Sequence, residues 1–258
     1  MMVSREYIES VIAKQMRMDG RKFDEYRPIT IEYGISSKSA EGSARVKIGD
    51  TEVVAGVKLE LGTPFSDKPD EGSIMVNVEL LPLSSTLFES GPPSIDAIEL
   101  SRVTDRGIRE SNALDFKKLC VKTGEKVWLV FIDIYPINAG GNLFDACNLV
   151  TLAALRDAVF PALTAENKVD YSKKTKTKLP LSKLPIACTV WKVHNEFIVD
   201  PTIEEELAAH ARLSTVFTDD GKICAMQKGG ESPLTSEEIS TILDLAERKT
   251  QELRRHFK

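Results

Sequence analysis

The sequence predicts an α+β chain of two subdomains, each a mixed β-sheet backed by helices. Segments that alternate with period two are followed by segments of helical period, and this order of strands then helices occurs twice. A stretch at 164–185 that carries lysines and prolines separates the two occurrences and reads as a crossing between them. With 258 residues, 42% of them hydrophobic, there is enough apolar side chain for one large core or two small ones. The expected division is therefore an N-terminal subdomain over 1–163, a basic crossing segment over 164–185 and a C-terminal subdomain over 186–258.

Residues 4–18 predict a short amphipathic helix, with Ser4 as N-cap and Tyr7, Ile8, Val11 and Ile12 as its apolar face. Met18-Asp19-Gly20-Arg21 is a turn signal. From Pro28 the period becomes two, through Ile29, Ile31 and Tyr33 and again through Ala44, Val46 and Ile48. Gly49-Asp50 then leads into EVVAGVKLEL, which predicts a hairpin, and SIMVNVEL at 73–80 is a further strand. Two loops rich in proline, glycine and serine, 62–72 and 82–94, bracket that strand. VWLVFIDIYP at 127–136 is apolar enough for burial on both faces, and after the turn NAGG the segment Asn142–Val159 predicts a buried central helix. Beyond the crossing come IACTVWKV, FIVD, LSTVFT and KICAMQ, the last two joined at Asp219-Asp220-Gly221. The final helix opens on the capping box Thr235 to Glu238 and ends in Arg254, Arg255 and Lys258, which suit a helix C-terminus.

The segment Ile98–Ser111 carries charge with helical regularity. At roughly 100° per residue, Arg102, Arg106 and Arg109 share an arc of about 60°, while Leu100, Val103, Gly107 and Leu114 fall opposite. The stripe reads either as a phosphate contact or as a solvated, salt-bridged face. Glu99 to Arg102, Asp105 to Arg109 and Arg106 to Glu110 all have i to i+3 or i+4 spacing.

Composition narrows the function. Thirty-nine acidic against 34 basic residues give a net charge of −5, so any nucleic-acid contact must be local. No apolar run reaches about 18 residues and the N-terminus is charged, which predicts a soluble cytoplasmic protein without a membrane segment. The four cysteines form no CxxC pair and the three histidines no HExxH, so neither a zinc site nor a Cys-His centre is expected.

RMDGRKFDEYRPI (17–29), EGSARVKIGDTEVVAGV (41–57), IELSRVTDRGIRES (98–111) and the turn around NAGGN (138–142) together resemble the RNase PH family of phosphorolytic exoribonucleases. Within it the chain is most similar to the non-catalytic RNase PH-like subunit of the archaeal exosome ring, through RVTDRGIRES, GNLFDAC and VDPTIEEE. The resemblance implies an RNase PH-like fold and a hexameric ring of three heterodimers with a catalytic paralogue. It also implies RNA-binding cap subunits and 3′→5′ degradation or tailing of single-stranded RNA.

Catalytic members carry a turn like Asp-Ala-Gly-Thr-Arg that holds phosphate, where this chain reads Asn138-Ala139-Gly140-Gly141-Asn142. They carry two aspartates six residues apart where this chain has Glu206 and Arg212. The resemblance thus implies no catalytic residue and no metal or other cofactor on this chain, inorganic phosphate and a divalent metal being used at the partner's site. It maps RNA contact onto Arg102 and Arg106 and leaves Arg109 to pair with Asp105. Two other readings stand beside this one. The first is an active homohexameric nuclease using Glu206 and Asp200; the second is a structural ring spacer without RNA contact.

Overall fold

Ser4 caps the first helix as expected, its hydroxyl accepting from the amide of Tyr7, and α1 (Arg5–Ile12) buries Ile8 and Ile12. The helix stops short of the expected residue 18 because the chain turns back at Gln15, in the left-handed region at φ 60°. The computed structural model describes residues 3–164, 166 and 168–257.

Strands β1 (Ile29–Tyr33), β2 (Gly42–Ile48), β3 (Thr51–Gly62) and β4 (Ser73–Val78) precede helix α2 (Ile95–Glu110). Then come β5 (Cys120–Lys122), β6 (Lys126–Asn138) and helix α3 (Leu143–Asp157). They build a sheet of order β1-β2-β3-β6-β4, with β5 also on β6. β6 runs antiparallel to β3 and parallel to β4, so this sheet is mixed. Gly49, at φ 56°, makes the tight turn of the β2–β3 hairpin.

Val53, Ala55, Val57 and Leu59 alternate inward from β3 and join Val130, Ile132 and Ile134 of β6 under α3. β6 buries one face fully and the other only in part, so its apolar run reflects a central position rather than two equal cores. α3 is buried from Asp145 to Leu155 because it lies between this sheet and the second one. Gly42 permits its close approach, since a Cβ there would come within 2.4 Å of the Ala154 carbonyl oxygen.

The stretch 164–185 carries regular structure that its lysine-rich composition does not suggest. Much of 164–185 is strand: β7 (Val159–Leu163) pairs with β8 (Val169–Lys178) as a two-stranded antiparallel ribbon. The boundary at 163 would cut this hairpin, and Val159 belongs to the strand, not to the preceding helix. Lys174 and Lys178 tie the ribbon to the body, donating at 2.7 Å to the carbonyls of Ser37 and Asp157 respectively.

The second subdomain contains β9 (Ile186–Val193), β10 (Glu196–Val199), helix α4 (Ile203–Ala208), β11 (Ala211–Phe217), β12 (Ile223–Gly229) and helix α5 (Ser236–Arg254). Its sheet, β10-β9-β11-β12, differs from the expected mixed one: the ladders between described residues are antiparallel throughout. Both α4 and α5 begin with complete capping boxes, Thr202 with Glu205 and Thr235 with Glu238. Lys258, expected to suit the end of α5, lies outside the described residues. α5 packs on β9 and β11 through Ile242 and Ala246. α2 touches β4 and β12, so it bridges the two sheets. No helix among the described residues is long and apolar enough to cross a membrane.

Candidate nucleic-acid interface

Helix α2 starts at Ser94, whose hydroxyl accepts from the amide of Ala97, and it buries Ala97, Leu100, Thr104, Gly107 and Ile108. Of the expected apolar face, Leu100 and Gly107 are buried and Val103 is half-buried, while Leu114 is buried beyond the helix end. Arg102 and Arg106 are exposed on the opposite side. Neither makes an ion pair or hydrogen bond among the described residues.

The interleaved acids are engaged elsewhere. Arg109 donates to both Asp105 oxygens at 3.0 and 2.8 Å and to the Ile74 carbonyl at 2.8 Å, so it is a structural pair as expected. Glu99, expected beside Arg102, instead accepts from Arg212 Nη2 at 2.6 Å. The pairing of Arg106 with Glu110 does not form. An uncompensated pair of guanidinium groups one helical turn apart is an arrangement that a polyanion stabilises.

A second centre lies where β6 turns into α3. Gly141 (φ 98°) and Asn142 (φ 57°) make the turn, and a Cβ on Gly141 would come within 2.3 Å of the Pro201 carbonyl oxygen. Arg27 donates to the carbonyls of Gly140 and Gly141 at 2.8 and 3.2 Å. The Asn142 amide, at the positive end of α3, donates to Glu206 Oε1 at 2.7 Å. The place where an external anion could sit is thus taken by this chain's own carboxylate. Desolvation is the largest influence on Glu206 and pushes its carboxyl up to about 7, against the Asn142 amide and the charges of Arg27 and Arg212.

Glu206 and Arg212 line one cavity of about 260 Å³ with Glu99, Phe144 and Trp191. The Arg212 guanidinium stacks 4.0 Å from the centre of the Phe144 ring and 5.6 Å from that of Trp191. The structure therefore brings together the two positions that sequence reading put in place of paired aspartates, but one is a cation and the other caps a helix. Among the described residues no group of three or more His, Cys, Asp or Glu side chains could hold a metal ion.

Asp200, offered as an alternative catalytic carboxylate, is fully buried and saturated. Its oxygens accept from Arg21 Nη1 (2.9 Å), Arg27 Nε (2.9 Å), Arg27 Nη2 (2.7 Å), the Arg27 amide (2.8 Å) and Asn142 Nδ2 (3.0 Å). Arg17 completes the clamp, paired with buried Glu205 at 2.5 Å. Sequence reading assigned no role to Arg17, Arg21 and Arg27. The available signal was their recurrence in a segment where Met18, Phe23 and Tyr26 alone could supply a sizeable apolar contact.

Models of the first and second domains of the 3′ exoribonuclease family match residues 25–161 and 183–249. The chain is 46% identical over 252 residues to the exosome complex component Rrp42 of Methanocella arvoryzae, covering 98% of this chain and 94% of that protein. It is equally identical, at 46%, to the Rrp42 component of Methanothermobacter thermautotrophicus, with 97% and 93% covered. A solved structure described as the Archaeoglobus fulgidus exosome with RNA bound to the active site superposes with a TM-score of 0.91 at 43% identity, covering 98% of this chain and 97% of its own. With both domain models matched in order and relatives of this identity aligned end to end, the chain belongs to the RNase PH family of 3′ exoribonucleases.

Proposed function

We propose that this chain is a non-catalytic subunit of a cytoplasmic exosome ring. It pairs with a catalytic RNase PH-like paralogue in three heterodimers, with cap subunits on one face, and lends Arg102 and Arg106 to single-stranded RNA. The observation that carries this reading is the end-to-end likeness to proteins named as exosome components. The self-occupied turn supports its non-catalytic part. Phosphorolysis needs a phosphate brought up to a phosphodiester by donors and cations, and here Glu206 already sits on the Asn142 amide. Inorganic phosphate and a divalent metal accordingly serve the paralogue's site.

The test is phosphate-dependent release of nucleoside diphosphates from short poly(A), by the purified chain and by its mixture with the paralogue. Silence alone and activity in the mixture are expected; release by the chain alone would revive the homohexameric enzyme. Within the mixture, Arg102→Gln with Arg106→Gln should weaken RNA binding and reduce the salt slope by about 0.7 per arginine. An unchanged slope would favour the spacer without RNA contact.

A further inference from the structure

Arg102 has two acids within helical reach, Glu99 three residues before it and Asp105 three residues after. It also has Arg106 one turn on, a like-charge neighbour that disfavours the helix by a small amount. Local electrostatics would therefore draw one acid onto Arg102. The fold prevents both pairings. Asp105 is chelated by Arg109, and Glu99 is held across the subdomain boundary by Arg212, which belongs to β11.

Arg212 is poorly placed to let go. It is 8% exposed, lies against the rings of Phe144 and Trp191, and is backed by Gly229, where a Cβ would come within 2.4 Å of its Cζ. A planar guanidinium stacked on an aromatic face presents its donors in a fixed direction, here toward Glu99. We propose that Arg212 is a positioning residue for RNA: by withdrawing the Glu99 carboxylate from Arg102 it keeps the Arg102 guanidinium open to a backbone phosphate. The inference rests on the reading of Arg102 as a phosphate contact and names what keeps that contact available. It also gives the cation among former carboxylate positions a task in RNA binding that is separate from phosphorolysis.

The test is a double-mutant cycle on single-stranded oligo(A) binding across a salt series, in the complex assembled with the catalytic paralogue. Arg212→Met releases Glu99 to Arg102 and should weaken RNA about two- to fivefold, with the salt slope reduced by up to about 0.7. Glu99→Gln alone should leave affinity near the parent value, and Glu99→Gln added to Arg212→Met should restore it. A merely structural role for Arg212 would not be rescued by removing an acid. Glu99→Asp keeps Arg212 and its stacking intact but retracts the carboxylate by one methylene. It should weaken binding in the same direction, and it decides the matter if Arg212→Met fails to assemble. Parent affinity in Arg212→Met or, failing its assembly, in Glu99→Asp overturns the proposal, as does a double variant that stays as weak as Arg212→Met. Arg102→Gln is the control. If it leaves RNA binding unchanged, the phosphate-contact reading itself falls; if it weakens binding while the 99/212 variants do not, only the role of Arg212 falls.

Discussion

Asp200→Ala should destabilise the chain by about 3–5 kcal/mol, the range for removing one partner of a buried ion pair. The carboxylate has no exposure, and the two arginines that share it, Arg21 and Arg27, keep only 11% of their side-chain surface in contact with solvent. Deleting it leaves the Arg27 guanidinium without its paired carboxylate and takes one acceptor from the Asn142 side-chain amide, both held at the β6–α3 turn, while Arg21 keeps Asp19 and the Glu25 carbonyl. The backbone of Asp200 adds to this through its φ of 46°, which alanine tolerates less well than aspartate, while the bonds its carbonyl accepts from Arg17 and Arg21 remain in the variant. Asp200→Asn should recover little, because an amide nitrogen would face donors on one side. Urea unfolding with an unchanged slope and a lowered midpoint is the measurement, and a loss below about 1 kcal/mol would mean that the clamp is energetically neutral.

That clamp also marks where sequence reading runs out. Elements written in local periodicity were legible: the β2–β3 hairpin at Gly49, the capping box at Thr235, the charged and apolar faces of α2. β8 was not, because its run of lysines and threonines has no apolar alternation and a ribbon of two strands buries little of either face. α4 is only six residues long, yet its capping box from Thr202 to Glu205 stood in the sequence as an unused signal. The pairs that give the site its character join residues far apart: Glu99 with Arg212 at a separation of 113, Asn142 with Glu206 at 64, Arg27 with Asp200 at 173. Helical spacing put Glu99 beside Arg102, and tertiary structure overrode it with a partner that no local rule could name. The resemblance to a family located Arg212 as a departure from carboxylate chemistry. It did not locate what the new cation holds.

Glu206→Gln should make the chain more stable at pH 8 and flatten its pH dependence. Desolvation pushes the Glu206 carboxyl up to about 7, and it does the same to buried Asp145. A carboxyl raised in the folded state keeps its full contribution below its unfolded value near 4. As pH rises from there the unfolded chain ionises first, and stability is lost progressively until the folded-state value near 7 is passed. For the parent, stability should therefore fall between about pH 4 and pH 7, by roughly 3 kcal/mol from Glu206. Glutamine retains an oxygen for the Asn142 amide but carries no charge to desolvate. The variant should gain part of that amount at pH 8, and almost nothing at pH 4, where the parent carboxyl is already neutral. Chemical denaturation of both proteins at the two pH values decides it. Equal stabilities at pH 8 would mean that Arg27 and Arg212 offset the desolvation, leaving Glu206 a settled counter-ion; a gain confined to high pH would mean that the chain keeps a costly carboxylate on the Asn142 amide.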